Sequence, residues 1–231
     1  MPQRYFIENQ NNIITGQDAH HIKKVMRMKT GDEIIVCNAG KCFLSILNLE
    51  TEEVKYDIVQ ELIKHDQPEI TLIQGLPKNP KSDIVIKYAT IFGASIIILA
   101  GMHRSITKLD NEDNKTKRFQ MIAKEAAELA HRFEVPTIEM KKSLDKIDLS
   151  LYDIVLLADE NERSTTLEKA LPKIQKEMKI ALIIGPEGGI SEAERNSLLS
   201  KKVIPVTLGH YILPTEIASL YILTYLSVKN I

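Results

Sequence analysis

The spacing of hydrophobic residues along the chain changes near residue 70. Before that point, short runs alternate apolar and polar residues with the two-residue period of half-buried strands. In residues 33–50, two β-rich runs flank the stretch 38–41, whose glycine can take positive φ, and this predicts a hairpin. Residues 53–63 predict one or two further strands, and residues 18–28 predict a helix that interrupts them. Several short strands with little helix are typical of a small β-barrel.

Beyond a polar, proline-ended linker, apolar strand patterns alternate with helical patterns. The predicted strands cover residues 70–76, 94–100, 153–159, 179–185 and 203–209. The predicted helices cover residues 81–93, 115–133, the start of 165–177, 190–202 and 215–228. Such alternation is typical of a mostly parallel sheet with helices on both faces. The predicted fold class is therefore α/β, with one domain at residues 1–68 and a second at residues 69–231.

The charge of the chain argues against binding nucleic acid through bulk electrostatics. The formal net charge is -1. Residues 1–70 hold 8 Lys and Arg against 11 Asp and Glu, a net charge of -3, and residues 71–231 hold 22 against 20, a net charge of +2. Any surface that binds nucleic acid must therefore be a local patch.

The cysteines and the first residues of the chain indicate the cellular compartment in which the protein is expected. Cys37 and Cys42 are five residues apart, and we expect two free thiols in a reducing cytoplasm rather than a disulfide. Without a nearby histidine they make a poor zinc site, so no metal is expected. The N-terminus lacks the apolar core of a signal peptide, and no apolar run approaches the roughly 20 residues that cross a bilayer. We therefore expect a cytoplasmic protein without a membrane segment.

A glycine-rich turn follows one predicted strand, in the stretch ALIIGPEGGISEAE at residues 181–194. Ligands of parallel sheets bind at the carboxyl ends of the strands, and Gly188 and Gly189 would let a ligand approach the backbone closely. The next helix begins with a predicted capping box of Ser191 and Glu194. A tight turn that only packs helix against strand is the competing interpretation.

The residues of this turn disfavour a polyphosphate ligand. The lysine and hydroxyl that end a P-loop are missing, and the glycines have the wrong spacing for a dinucleotide-binding turn. Glu187 adds a negative charge, so a nucleoside with little or no phosphate fits better. The stretch VTLGHYILPTEIAS at residues 206–219 repeats the order of strand, glycine, loop and helix, which predicts that the two turns share one pocket.

Together, IGPEGGISEAE and LGHYILPTEIA resemble the RsmE family of methyltransferases in the SPOUT superfamily. The similarity continues in HHIKKVMRMKTGDEI, KSDIVIKYATIFGAS, Arg104-Ser105 and KRFQMIAKEAAELAHRFEVP, and so spans nearly the whole chain. The resemblance implies an enzyme that uses S-adenosylmethionine to methylate N3 of a uridine in the 16S ribosomal RNA of the small subunit. It also implies a PUA-like RNA-binding barrel, then an α/β domain with a trefoil knot, assembled as a homodimer.

The resemblance also assigns roles to individual residues. S-adenosylmethionine would contact Leu157, Ala158, Ile184, Gly185, Glu187, Gly188, Gly189, Leu208, Gly209, Ile212, Leu213 and Thr215. Ribosomal RNA would contact Arg4, His21, Arg27, Lys81, Arg104 and Arg132. A salt-bridged helix surface would equally explain Arg132, and the aromatic residues beside Arg4 are also typical of a core strand.

Catalysis at uridine N3 requires a group that removes or polarises the proton of the neutral base. Glu216 is a candidate to hold the base or a partner cation, and Arg104 is a candidate to stabilise the anion. The competing interpretations are that Glu216 stabilises the start of its helix and that Arg104 is a solvated loop residue.

The loop of the second turn departs from the family pattern. Tyr211 and Pro214 stand where the family usually has arginines, so this loop carries less positive charge. The alternative to an enzyme is therefore a non-catalytic RNA-binding homologue that keeps the fold and the cofactor pocket.

Overall fold

The computed structural model describes residues 1–8, 11–107, 112–171 and 174–229, and of residue 229 only the backbone. The chain forms two compact units. The first unit combines Met1–His65 with Ala127–Val135, and the second combines Asp66–Ala126 with Pro136–Ile231. The predicted domain at residues 1–68 did not include the second segment of the first unit, because nothing in the hydrophobic pattern marks a return of the chain there.

A five-stranded sheet is the framework of the first unit. Its strands are β1 (Gln3–Phe6), β2 (Ile13–Ile14), β3 (Glu33–Asn38), β4 (Lys41–Asn48) and β5 (Val54–Glu61). They lie in the order β1-β3-β4-β5-β2, with β1 parallel to β3 and the other neighbours antiparallel. Tyr5, Ile34 and Leu47 of these strands form a core cluster together with Ile22 of the helical region.

The predicted hairpin is confirmed, and the predicted helix of this unit is shorter than expected. Ala39 and Gly40 join β3 to β4 with φ of 47° and 79°, the positive values of a type I′ turn. The helical region consists of α1 (Gly16–His20), which continues as one π-helical turn at His21–Val25. Arg27, with φ of 53°, lies beyond the end of this helix.

The expectation of two free thiols is wrong in this structure. Cys37 and Cys42 face each other across β3 and β4, and their sulfur atoms are bonded. Their Cα atoms are 4.1 Å apart, and both residues are fully buried. Spacing alone did not reveal this bond, because residues five apart become cross-strand partners only when the turn between them has two residues. Within the described part of the chain, no group of three or more His, Cys, Asp or Glu side chains could hold a metal ion.

A six-stranded parallel sheet is the framework of the second unit. Its strands are β6 (Glu69–Gly75), β7 (Ile96–Ala100), β8 (Thr137–Lys141), β9 (Ile154–Ala158), β10 (Lys179–Ile184) and β11 (Ile204–Val206). They lie in the order β11-β9-β10-β6-β7-β8. The α/β class and the five predicted strands are confirmed. The sequence pattern missed β8, an edge strand whose five residues TIEMK include two charges.

Helices follow most of these strands. They are α2 (Lys81–Ile91), α3 (Glu112–Leu129), α4 (Leu167–Ala170), α5 (Glu192–Leu199) and α6 (Thr215–Lys229), with 3₁₀ turns at Leu144–Lys146 and Leu149–Leu151. Helix α2 packs against α6, which also contacts β10. The prediction that the third helix extends to residue 133 is wrong, since α3 ends at Leu129 and His131 has φ of 53°. Among the residues described, no helix is both long and apolar enough to cross a membrane.

Candidate functional site

A cavity of about 490 Å³ lies at the carboxyl edge of the six-stranded sheet. Most of its lining comes from residues 158–163, 184–190 and 207–218, which follow β9, β10 and β11. Parallel strands end at the same edge of a sheet, so these three segments meet although they are distant in sequence. The prediction that the turns after β10 and β11 share one pocket is confirmed by this geometry.

Eleven of the twelve residues predicted to contact a cofactor line this cavity. They are Ala158, Ile184, Gly185, Glu187, Gly188, Gly189, Leu208, Gly209, Ile212, Leu213 and Thr215. Leu157 does not belong with them, because its side chain is fully buried in the apolar core of the second unit. The sequence reasoning missed further lining residues, including Asp159, Glu160, Arg163, Ile190 and Ala218. Asp159 and Glu160 directly follow β9, and that position at a strand end was the available signal for them.

The glycines of the first turn serve contacts within the protein. A Cβ atom on Gly185 would lie 2.9 Å from the side chain of Ile190. A Cβ on Gly188 would lie 3.0 Å from the backbone oxygen of Arg104, and Gly189 has φ of 71° with Glu160 only 2.8 Å from its Cβ position. Gly188 and Gly189 therefore let the turn pack against Arg104 and Glu160. That they also let a ligand approach the backbone stays a prediction.

The capping box predicted after this turn is confirmed. The Ser191 side chain accepts a hydrogen bond from the Glu194 N–H at 3.3 Å, and the Glu194 carboxylate accepts from the Ser191 N–H at 3.1 Å. The other carboxylate oxygen of Glu194 accepts from the backbone N–H of His103 at 2.8 Å. Burial alone would raise the pKa of Glu194, but hydrogen bonds from Ser191 and His103 hold it below the ordinary value. Helix α5 thereby ties the loop after β7 to the first turn.

The loop after β9 is held by two carboxylates. The buried Asp159 side chain accepts hydrogen bonds from the Asn161 N–H at 2.9 Å and the Arg195 guanidinium at 2.5 Å. Glu162 accepts from the Ser164 hydroxyl and from three successive backbone N–H groups, and these hydrogen bonds lower its pKa to about 2. A backbone bond of 2.9 Å from the Thr207 N–H to residue 165 then joins this loop to the second turn.

The second turn is more open than the first. Gly209 has φ of 114°, and a Cβ there would meet nothing within 4 Å. Tyr211 is 86% exposed and Ile212 is 73% exposed. Its two ends are anchored. Thr207 is hydrogen-bonded to residue 165 at the start, and at the end the Thr215 hydroxyl donates to the Gly185 carbonyl and accepts from the Gln74 amide at 2.7 Å. Gln74 is fully buried on β6, and the sequence signal for it was one amide inside an otherwise apolar strand.

A cluster of charged side chains lies at the starts of α2 and α6. The Lys81 ammonium lies 3.0 Å from a Glu216 carboxylate oxygen and 3.8 Å from a Glu187 oxygen. The same oxygen of Glu187 accepts from the Lys78 N–H at 3.0 Å. Lys81, predicted to contact RNA, therefore lines the cavity together with Glu187. Its position beside Glu216 fits the expectation that this glutamate holds a partner cation.

Arg104 lies beside the first turn, on the loop after β7. Its guanidinium donates to the Gly188 carbonyl at 3.2 Å, while the residue remains exposed. The loop itself is closed by a bond of 3.2 Å from the Met102 N–H to the Ser105 hydroxyl. The structure thus brings Arg104 to the rim of the predicted cofactor pocket and leaves its charge facing solvent.

The remaining predicted RNA contacts lie in the first unit, and Arg4 must be corrected. Arg4 is 6% exposed, donates to the carbonyls of His131 and Arg132, and stacks 5.4 Å from the Phe133 ring centre. Its burial on a core strand gives it a structural role. Burial also lowers the pKa of Arg132 to about 10.

His21 and Arg27 are placed differently from each other. His21 is half-buried, and its ring lies in hydrogen-bond contact with the Tyr5 hydroxyl at 3.1 Å. Burial, followed by the charges of Glu128 and Asp18, raises the pKa of Tyr5 to about 12, so its hydroxyl keeps its proton. Arg27 is exposed. Of the predicted contacts in this unit, Arg27 is the one whose side chain the structure leaves fully accessible.

Comparison with known proteins gives the family. The family described as the RNA methyltransferase domain matches residues 64–227, and the RNA methyltransferase PUA domain matches residues 14–53. Ribosomal RNA small subunit methyltransferase E of Bacillus subtilis is 33% identical, with 99% of this chain and 97% of that protein covered.

Two solved structures share the fold, each covering 99% of this chain and 98% of the other. One is a putative methyltransferase of Legionella pneumophila in complex with bound cofactor SAM, 22% identical with a TM-score of 0.87. The other is ribosomal RNA small subunit methyltransferase E of Neisseria gonorrhoeae bound to S-adenosyl methionine, 23% identical with a TM-score of 0.83. The match to the RNA methyltransferase domain and to the Bacillus subtilis methyltransferase favours an enzyme over the alternative of a non-catalytic homologue. This chain belongs to the RsmE family of RNA methyltransferases.

Proposed function

We propose that this protein transfers a methyl group from S-adenosylmethionine to N3 of a uridine in the 16S ribosomal RNA of the small subunit. The observation that carries the proposal is the cavity at the carboxyl edge of the sheet, lined by eleven of the residues that the RsmE resemblance assigned to the cofactor. The reaction would take place in the cytoplasm, where small subunits are assembled.

The residues of the cavity fit S-adenosylmethionine in size and charge. Its volume of about 490 Å³ lies within the range of roughly 300–1,000 Å³ of small-molecule sites. Ile184, Leu208 and Leu213 supply apolar surface for an adenosine, and the turns supply backbone donors and acceptors. Glu160 adds negative charge, which favours a sulfonium cation and opposes a polyphosphate, while Asp159 is paired with Arg195 and Glu187 lies near the Lys81 ammonium.

The protein's own part in the reaction is to align the base and stabilise its anion. When bound, the cofactor supplies an electrophilic methyl group, and its sulfonium becomes a thioether as N3 accepts that methyl. We propose that Glu216 holds the Lys81 ammonium at the rim of the cavity, at the observed 3.0 Å. Arg104, held by the Gly188 carbonyl, presents a second cation. These two charges favour release of the N3 proton to solvent by stabilising the uridine anion.

RNA contacts would come from residues of each unit. Exposed Arg27 and the partly buried His21 and Arg132 would contribute in the first unit, and Lys81 and Arg104 in the second. Since the net charge of the chain is -1, such contacts depend on a local patch, and binding should weaken as salt concentration rises.

We also propose that the protein is a homodimer and that the second unit contains the trefoil knot implied by the resemblance. Partly exposed apolar side chains lie on the packed pair α2 and α6: Ile84, Tyr88, Ile217 and Tyr221, between 36% and 49% exposed. Such side chains are typical of an interface between subunits. Tyr221→Glu should convert a dimer into a monomer in light scattering, whereas Val59→Glu, at an exposed apolar residue of the first unit, should not. A wild-type protein that is monomeric at micromolar concentration would rule out the dimer.

The decisive experiment uses labelled S-adenosylmethionine and small ribosomal subunits that lack the modification. Wild-type protein should transfer the label, and mass spectrometry of digested RNA should place it on N3 of one uridine. Calorimetry with the cofactor alone provides the control for pocket integrity. Tight cofactor binding without any label on the RNA would contradict the proposed activity.

A further inference from the structure

A second cavity lies at the same edge of the sheet, beyond β7 and β8. Its volume is about 680 Å³, larger than that of the first cavity. It is formed by the loops after Ala100 and Lys141 and by the face of α5 that carries Ser197. None of the residues assigned to the cofactor or to catalysis lines it. A cavity of this size at the carboxyl ends of parallel strands is a place where ligands bind.

The lining combines an apolar floor with a basic, hydroxyl-bearing rim. Met102, Leu144 and Leu198 are buried and form the floor. The exposed side chains of Lys142 and Lys201 lie on the rim. Hydroxyl groups of Ser105, Thr107, Ser143 and Ser197 line the same cavity. Such a combination suits a nucleotide, whose base needs apolar contact and whose phosphate needs cations and hydrogen-bond donors.

The two carboxylates of the lining are already engaged within the chain. Glu194 accepts hydrogen bonds from Ser191 and His103, as part of the capping box. Asp145 is hydrogen-bonded by the Ser143 side chain, which together with nearby lysines holds its pKa below the ordinary value. Lys201 is one of those lysines, and Lys142 takes no part in the effect on Asp145. Both lysines are exposed on the rim, where they favour an anion.

The loop after β7 lines the second cavity and contacts a residue that lines the first. On one side, Arg104 donates to Gly188 of the first cavity. On the other side, His103 and Ser105 line the second cavity. This loop connects the two cavities, so the second cavity lies on the side of Arg104 where a strand bound at the first could continue.

We propose that this second cavity binds a nucleotide adjacent to the target uridine, with its base on the apolar floor and its phosphate at Lys142 and Lys201. The inference rests on the proposed function, because it takes the RNA strand of that reaction as its ligand. An RNA strand is favoured over a free nucleotide because the cavity adjoins the site where the strand must be held for methyl transfer.

The test measures affinity for unmodified small-subunit RNA at several salt concentrations. Replacing both cavity lysines, in Lys142→Gln/Lys201→Gln, should lower the affinity roughly tenfold near 0.15 M salt and reduce the slope of log K against log salt by about 1.4. The matched control is Lys146→Gln/Lys202→Gln, which removes two exposed lysines that do not line the cavity. It should change affinity and slope much less. Equal losses in both double variants would overturn the proposal, because they would show only a general effect of charge.

A second pair of variants tests whether RNA binding needs the open volume of the second cavity, as distinct from the charge of its lysines. Ser197→Trp should fill the cavity and weaken RNA binding, whereas Asn196→Trp, at the neighbouring exposed residue outside the lining, should not. Cofactor affinity should be unchanged in both. RNA affinity that is unchanged in Ser197→Trp and in the lysine variant would overturn the proposal. The proposal would also be overturned if uridine monophosphate bound this cavity while the variants left RNA affinity unchanged. The site would then bind a free nucleotide.

The outcome remains separate from that of the proposed reaction. If wild-type protein binds the RNA but transfers no methyl group, the proposed function fails while the binding comparison still decides the role of the cavity. If wild-type protein methylates the RNA and the cavity variants bind as well as wild type, only the second inference fails.

Discussion

The two turns that enclose the candidate cofactor cavity are held in different ways. The first, at residues 185–190, is packed from within: its three glycines lie against Ile190, Arg104 and Glu160, and a capped helix follows. The second, at residues 207–214, has a glycine with open space around it and two large apolar side chains in solvent. The first turn is therefore complete in the isolated chain. The second has apolar surface that a bound cofactor or a second subunit would cover.

The largest expected effect comes from the cation at the packed turn. Arg104→Ala should lower methyl transfer by about 10²–10³, the loss of one charge-assisted contact worth roughly 2.7–4 kcal/mol. Single-turnover methylation at saturating cofactor measures this, and cofactor affinity measured by calorimetry should change little. If the affinity falls as much as the rate, Arg104 acts by supporting the first turn through its bond to Gly188. Near-normal turnover would remove Arg104 from the mechanism.

The next effect is a difference in stability between substitutions of Gly189 in the first turn and Gly209 in the second, both of which have positive φ. Gly189→Ala should destabilise the protein by about 1–2 kcal/mol from φ alone, or roughly 2–8 °C in Tm, with a further loss from the clash with Glu160. Gly209→Ala also carries the φ penalty but meets no neighbour. Thermal unfolding of both variants, with and without Glu160→Ala, measures the difference. Glu160→Ala should recover part of the loss at Gly189 and none at Gly209. Equal recovery at both would contradict the contrast between the turns.

A smaller effect is expected at the open turn. Tyr211→Ala should change the free energy of unfolding by less than about 0.5 kcal/mol, because the side chain is 86% exposed. It should nevertheless weaken cofactor binding or dimer formation severalfold, if the ring is covered in the functional state. Unfolding without cofactor, calorimetry and light scattering test the three quantities separately. A variant that matches wild type in all three would show that Tyr211 is an ordinary surface residue.

The smallest effect is a pH dependence of stability that comes from Glu162, in the loop after β9. Hydrogen bonds lower the pKa of Glu162 to about 2, so its stabilising contribution is fully present above the ordinary carboxyl pKa near 4.5 and is lost as pH falls toward 2. The Tm difference between wild type and Glu162→Gln should therefore shrink as pH is lowered from 6 to 3. Glu177→Gln, at another exposed glutamate, should show no comparable change. A difference that is constant with pH would argue against this role.

Local sequence determined the elements of this protein and the position of its pocket. Alternating and helical periodicities predicted the hairpin, five of the six parallel strands and the capping box, because each depends on residues near one another in the chain. Strand ends followed by glycine turns predicted the pocket, since parallel strands must end at one edge. Similarity of short motifs to RsmE proteins supplied the family, which periodicity alone does not provide.

Only the tertiary structure decided which groups meet in space, both across a hairpin and across long separations. Arg4 became a buried support because residues 131–133 return to the first unit, more than a hundred residues later. Cys37 and Cys42 became bonded because a two-residue turn set the register of β3 and β4. Gly188 and Gly189 lie against Arg104 and Glu160, which belong to other loops, so only the fold showed what these glycines contact. Contacts of this kind follow from how strands are ordered in a sheet, and no local pattern records that order.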